Sequence, residues 1–406
     1  MTSNPLPAPT WVPGAHGSLY DVDNLPYAVF SHASGPRRLG VRIGDHVFDL
    51  AATASSEGAS HLHLVDAPTL NPLMAAGPET WATVRAWVVD RLTDPAHQRH
   101  VSLVPLADVA LFLPFQVGDY VDYYASEHHA TNVGRMFRPD GEALLPNWKH
   151  LPVGYHGRAG SIVVSGTDIH RPSGQRKAPT DVTPSYGPSL RLDIEAELGF
   201  VVGQPRPLGQ RVSTAEFAGT VFGVTGVNDW SARDIQAWEY VPLGPNLAKS
   251  FATSVSAWVT PLSALDHARI DLPGQDVEVL PYLSETGPTG YDIEVDVEVN
   301  GTVVARPPYS SMYWSPAQML AHLTVNGASL RVGDFYASGT ISGPAKEQRG
   351  SFLELSWGGT EPWLAGGQER TFLEDGDEVV LRYSAPGRTN TRMGLGEVRG
   401  TILPTT

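Results

Sequence analysis

Turn-forming residues punctuate this chain too often for long helices. Its 406 residues include 41 glycines and 34 prolines spread along the whole length, a density that favours many short strands and turns over a helical bundle. Where strands are legible they alternate cleanly. Over residues 190–200, Leu190, Leu192, Ile194, Ala196, Leu198 and Phe200 fall on one face, and Arg191, Asp193, Glu195 and Glu197 on the other. Residues 291–304 repeat the pattern around Asn300-Gly301, a strong hairpin signal, with Asp292, Glu294, Asp296 and Glu298 on the polar face. Ser315-Pro316-Ala317-Gln318 is a capped helix start, and Asn326-Gly327 ends that helix.

The chain is long enough for two domains. Residues 1–115 read as a small module: β-like runs at 27–30 and 41–50, then one helix in which Trp81, Val84, Val88 and Leu92 recur at helical spacing until Pro95 stops it. No nucleophile–base pair or ligand cluster stands out there. From Val117 onward aromatic residues, histidines and glycine-rich turns crowd together, so residues 116–406 are expected to form a mainly β domain with a few short helices.

Composition removes several function classes. A net charge of −15, from 43 acidic against 28 basic residues, would repel a phosphate backbone or an anionic lipid surface, so neither nucleic acid nor membrane is an expected partner. With no cysteine there is no disulfide, thiolate zinc site or cysteine nucleophile. Residues 1–14 carry neither the basic patch nor the apolar run of a secretory signal, and no stretch is apolar enough to span a bilayer. A cytoplasmic location is expected. Lysine is scarce, at Lys149, Lys177, Lys249 and Lys346, which draws attention to any lysine in a motif-dense stretch.

Several constellations carry polar groups that chemistry can use. Asp122 and His129 would lie two turns apart on one face if their segment is helical, as Tyr124 and His128 lie one turn apart; an acid at a helix end and a surface histidine would read the same. Glu195 and Glu197 point two carboxylates the same way, which invites a cation if that face is enclosed and means little if it is solvated. Residues 228–240 place Asp229, Arg233, Gln236 and Tyr240 at helical spacing behind a Ser231–Asp234 capping pair; a salt-bridged surface face would look alike. Lys249 stands in an apolar, turn-rich setting, although surface exposure is the ordinary fate of a lysine. Thr340 lies in a glycine-rich turn after a short strand, and apolar residues flank Glu354. Acids without cysteine point to a hard cation held by oxygen, Mg²⁺ or Ca²⁺ over zinc.

Read together, four segments resemble the fumarylacetoacetase family: residues 119–134 around Asp122, Tyr124 and His129; residues 146–158 around Tyr155; Asn228-Asp-Trp-Ser-Ala-Arg-Asp-Ile-Gln236; and Ala337-Ser-Gly-Thr340-Ile-Ser-Gly-Pro. The similarity runs in register from about Val117 to the C-terminus and is weaker, though continuous, before it. It implies a mainly β (α+β) protein with a small SH3-like N-terminal barrel followed by a large β-rich roll, assembled as a homodimer. It further implies Asp122, Glu195, Glu197 and Asp229 as ligands of Ca²⁺ and/or Mg²⁺, with Lys249 and Thr253 beside the ion. His129 would be the general base, oriented by Glu354. Arg233, Gln236 and Lys249 would stabilise an oxyanion. Tyr124, Arg138, Gln236, Tyr240 and Thr340 would grip the substrate.

The implied reaction is hydrolysis of a carbon–carbon bond in a β-diketone dicarboxylate, 4-fumarylacetoacetate, to fumarate and acetoacetate, the last step of tyrosine and phenylalanine catabolism. An acylpyruvate hydrolase or oxo-acid decarboxylase of the same superfamily is an alternative. A cation-binding β protein without chemistry is another, and it would need no base such as His129. Two departures from the family pattern stand out, His128 where glutamine is expected and Ser250-Phe-Ala-Thr253 where a glycine is more usual.

Overall fold

The computed structural model describes residues 8–388 and 392–406; the first half of the stretch read above for a secretory signal, residues 1–7, lies outside them. The fold is mainly β. Near the N-terminus a five-stranded antiparallel sheet runs in the order Leu103–Pro105, His46–Asp49, Arg38–Ile43, Tyr27–His32, Val109–Phe112 and forms a barrel-like unit. The helix Pro78–Thr93 buries Val84, Val88 and Leu92 against it, the stripe expected from their spacing. Its core does not stop at the first sheet: Val29, Val41 and Phe48 share one hydrophobic cluster with Tyr120, Val201, Phe222 and Phe335 from the strands that follow.

Those strands form the central sheet, in the order Gly154–His156, Tyr120–Tyr123, Phe335–Ala337, Ala196–Val202, Val221–Asp229, Thr253–Val255, Ile162–Val164, with Thr260–Pro261 also paired to Val221–Asp229. A second sheet, Thr302–Ala305, Glu294–Val299, Glu378–Pro386, Arg392–Leu403 and Ile169–His170, packs on it. Gly226 makes that approach possible: a Cβ there would lie 2.4 Å from the Tyr383 ring, whose hydroxyl donates to the Val227 carbonyl at 2.8 Å. Asn300 and Gly301 both take positive φ, 49° and 76°, closing the expected hairpin with the left-handed pair its turn requires. Ser315 and Gln318 form the expected capping box at the start of Pro316–Thr324.

Four local expectations are corrected. Asp122 is on the strand Tyr120–Tyr123, and the helix that carries His129 begins only at Glu127. Asp229 ends the strand Val221–Asp229 instead of opening a helix; Ser231–Ala232 then pair with Leu192–Asp193, so the helix Arg233–Glu239 starts late. Its N-cap is Ala232, whose methyl cannot cap, and the expected Ser231–Asp234 pair does not form: Ser231 donates to the Asp229 carbonyl, and the Asp234 carboxylate accepts from Ser189 and the Leu190 N–H. Finally, Leu190 is 74% exposed, whereas the carboxylates meant for the polar face are enclosed.

Candidate active site

Neighbouring strand ends bring the acids together. Asp122 lies across from Ala337 on one side and Tyr155 on the other. Glu197 sits opposite Val227, and Asp229, two residues further along that partner strand, sits opposite Thr253. Glu195 is held just ahead by a bridge to Ser351. Asp122, Glu195, Glu197 and Asp229 are all buried, and each offers a carboxylate oxygen within 4.8 Å of the others. That span is about twice the ~2.4 Å typical of Ca–O contacts. Oδ1 of Asp122 and both carboxylate oxygens of Glu197 are buried with no hydrogen-bond partner, a costly state for acids unless something binds them. The residues present therefore fit a hard divalent cation.

Two protein cations hold one side of the cluster. Lys249 Nζ, buried, lies 2.5 Å from Glu195 and 2.6 Å from Asp229. The Arg233 guanidinium lies 2.8 Å from Glu195 Oε1 and donates through Nε to Asp193 at 2.7 Å. Thr253 donates to Asp229 at 3.0 Å. Electrostatics then divide the acids. Burial opposes ionisation of Glu195, but Lys249 and Arg233 outweigh it and hold that carboxyl well below the usual range. Burial and the neighbouring acids push Asp122 and Glu197 well above it. Burial also works against the charged forms of Lys249 and Arg233, yet the surrounding carboxylates keep both protonated.

The histidine faces this cluster. Ser126 caps the helix Glu127–Phe137 through the His129 N–H, fixing that residue in the first turn. Nδ1 of His129 is 2.6 Å from Glu354 Oε2. Ser342 and Ser351 also donate to Oε2, and Asn132 donates to Oε1. Glu354 is completely buried on the short helix Phe352–Leu355. Burial alone would raise its pKa, but His129 and the hydrogen bonds lower it below the ordinary value. An ionised carboxylate can only accept, so the proton on this contact belongs to His129 Nδ1. Nε2 is left facing Glu195 Oε1 at 4.0 Å as the nitrogen free to take a proton.

The remaining expected residues lie around this centre. Gln236 accepts from Arg233 at 3.1 Å. Tyr124 stacks edge-on against the His129 ring at 5.2 Å, and burial raises its pKa, so the phenol stays protonated. Thr340 is buried and its hydroxyl has no partner. Arg138 and Tyr240 stand further out: the Arg138 guanidinium donates to the carbonyls of Glu142 and Ala143, and Tyr240 is exposed beside Phe137. Two residues had no expected role. The Tyr155 hydroxyl is 2.9 Å from Asp122 and 3.0 Å from Asp229, and Asp193 anchors Arg233. Asp193 alternates in sequence with Glu195 and Glu197, and Tyr155 lies in the segment 146–158 that carries the family resemblance, signals the sequence does hold.

The chain is similar to known proteins along nearly its whole length. A profile described as Fumarylacetoacetase N-terminal matches residues 23–114, and one described as Fumarylacetoacetate (FAA) hydrolase C-terminal matches residues 120–403. The chain is 47% identical over 404 residues to fumarylacetoacetase of Caenorhabditis elegans, covering 95% of this chain and 96% of that one. It is 44% identical over 414 residues to the Homo sapiens enzyme, covering 97% and 99%. Among solved structures, maleylpyruvate hydrolase from Sphingobium sp. SYK-6, in complex with manganese (II) ion and pyruvate, superposes with a TM-score of 0.51 at 15% identity over 94% of this chain and 100% of that one, which supports the fold. With both parts of the chain matched and the sequence shared nearly end to end, the protein belongs to the fumarylacetoacetase family.

Proposed function

We propose that this chain hydrolyses 4-fumarylacetoacetate to fumarate and acetoacetate. The observation that carries the reading is the His129–Glu354 pair aimed at four buried carboxylates, in a chain 44–47% identical to named fumarylacetoacetases. A cation held by Asp122, Glu195, Glu197 and Asp229 would supply Lewis acidity to the two diketone oxygens. Ca²⁺ or Mg²⁺ is our choice, because the donor set is all oxygen. Lys249 and Thr253 fix the geometry of Asp229 beside it.

In this reading His129 Nε2 takes a proton from water, and Glu354 stabilises the resulting imidazolium. The water oxygen bonds to the carbonyl carbon of the fumaroyl group, which becomes the new carboxylate of fumarate. Arg233, Gln236 and Lys249 donate to the oxyanion that forms. The carbon–carbon bond then breaks, and its electron pair leaves on the acetoacetate carbon, which is protonated in turn. Tyr124, Arg138, Gln236, Tyr240 and Thr340 hold the substrate's carboxylates and oxygens. A division near residue 115, a homodimer and a cytoplasmic location belong to the same proposal; among the described residues no helix is long and apolar enough to cross a membrane.

The test is an assay of purified protein on fumarylacetoacetate. Fumarate and acetoacetate should form in equal amounts, stop with a chelator and return with Ca²⁺ or Mg²⁺. Inert protein would overturn the reaction, and chelator-resistant turnover would overturn the metal.

A further inference from the structure

Asp193 is completely buried on the strand pair that precedes Glu195, and no step of the proposed reaction uses it directly. Its two oxygens satisfy four donors. Oδ2 accepts from Arg233 Nε at 2.7 Å and from the Leu353 N–H at 3.0 Å. Oδ1 accepts from the Phe352 N–H at 2.7 Å and the Ile194 N–H at 2.8 Å. One carboxylate thus ties the guanidinium that borders the cluster to the first turn of the helix carrying Glu354.

Resting on the functional reading above, we propose that Asp193 is a positioning residue: it sets Arg233 for the oxyanion and fixes the helical turn that aims Glu354 at His129. The physical reason lies in how Arg233 divides its charge. The guanidinium has an acid on each side, Asp193 at 2.7 Å and Glu195 at 2.8 Å. The contact with Asp193 is a directed hydrogen bond, whereas the Nη2 that approaches Glu195 makes no hydrogen bond of good geometry. Asp193 therefore holds the fork along its own axis and keeps its contact with Glu195 Oε1 from becoming a directed hydrogen bond. Without that charge, Arg233 turns onto Glu195, competes with the cation and leaves the position from which it donates to the oxyanion. Solvent does not replace the missing partner, because both side chains are enclosed.

Asp193→Asn keeps the shape and one accepting oxygen while removing the charge. In a double-mutant cycle with Arg233→Gln, the single Asp193→Asn change should lower kcat about 10- to 100-fold with KM changed less than about 3-fold, the signature of an interaction used in the transition state. In the Arg233→Gln background the same change should cost clearly less than in the wild type, since the pathway through Arg233 is already lost and only the hold on the Glu354 helix remains. Calorimetry with Mn²⁺ alone, which needs no turnover, should show affinity weakened several-fold in Asp193→Asn. Additive losses in the cycle, or an unchanged Mn²⁺ affinity, would overturn the proposal. If Asp193→Asn does not fold, Asp193→Glu keeps the charge, displaces it by one methylene and is judged by the same two readouts. A wild-type protein inert toward fumarylacetoacetate would count against the functional reading, and the Mn²⁺ titration would still decide on Asp193.

Discussion

Glu195 and Glu197 alternate along one stretch, just ahead of and on the strand Ala196–Val202, and Glu294, Asp296 and Glu298 along another, with the same acidic face in sequence and opposite surroundings in the fold. Ala196–Val202 lies inside the central sheet, flanked by Phe335–Ala337 and Val221–Asp229, and every residue of it is buried. Glu294–Val299 alternates as its sequence suggests, apolar side buried and acidic side toward water. There each acid meets an arginine: Glu294 with Arg392 at 2.9 Å, Asp296 with Arg306 at 2.8 Å and Glu298 with Arg382 at 3.3 Å. On the first strand two carboxylate oxygens of Glu197 meet nothing. Alternation reports a strand and its two faces, and only the packing of distant segments decides whether the acidic face is enclosed. An enclosed carboxylate without a partner, as at Glu197, needs a ligand; exposed ones each paired with an arginine do not.

The largest effect that separates the two strands is expected from paired substitutions. Glu197→Ala should abolish cation binding in calorimetry and lower kcat/KM by more than about 10⁴-fold, because electrostatic stabilisation and substrate positioning go together. Glu298→Ala should leave binding and turnover unchanged and shift stability by less than about 1 kcal/mol, the scale of an exposed ion pair. Comparable losses from both would break the contrast.

Next in size is the base. His129→Ala should lower kcat by about 10²–10⁴-fold while Mn²⁺ affinity stays within a few-fold, since His129 borders the cluster without joining it. The half-buried His128 should matter far less when changed to alanine. Interchanged behaviour of the two histidines in steady-state kinetics would put the base in the wrong place.

Arg138→Leu tests the outer rim, where the guanidinium now donates to backbone carbonyls. Recruited to a substrate carboxylate, it should be worth about 2–3 kcal/mol in kcat/KM, as for a charge-assisted hydrogen bond. The loss should fall on fumarylacetoacetate and spare a short diketone without the distal carboxylate. Equal losses on both would assign Arg138 to the fold.

The smallest effect concerns stability. Burial opposes the Glu354 charge, but His129, Asn132 and Ser351 hold its folded pKa below the ordinary value. Its ionised form therefore favours the folded chain above the unfolded-state pKa, and that contribution disappears as pH falls through the lower folded value. Glu354→Gln should flatten the acid side of the Tm–pH curve relative to wild type. A parallel curve would show that His129 does not stabilise this carboxylate.

Much of the fold was legible locally. The Asn300-Gly301 turn, the helix Pro78–Thr93 and the Ser315–Gln318 cap all follow from short-range rules that the tertiary structure leaves intact. The site was legible as a set of residues, through the family resemblance, and less so as geometry. Helical spacing from Asp229 to Tyr240 suggested one continuous stripe. It fails because Ser231 and Ala232 pair with Leu192 and Asp193, a contact no window of sequence contains. The partner of the buried Glu354 is His129, 225 residues away. Asp193, Glu195 and Glu197 looked alike on one face; what separates their roles is Arg233 and Lys249, brought in from other elements.

The most direct test of the account is a crystal grown with Mn²⁺ and measured at the manganese absorption edge. The account predicts an anomalous peak among Asp122, Glu195, Glu197 and Asp229, and none beside Glu294, Asp296 and Glu298. A peak at the second strand with none at the first would contradict it.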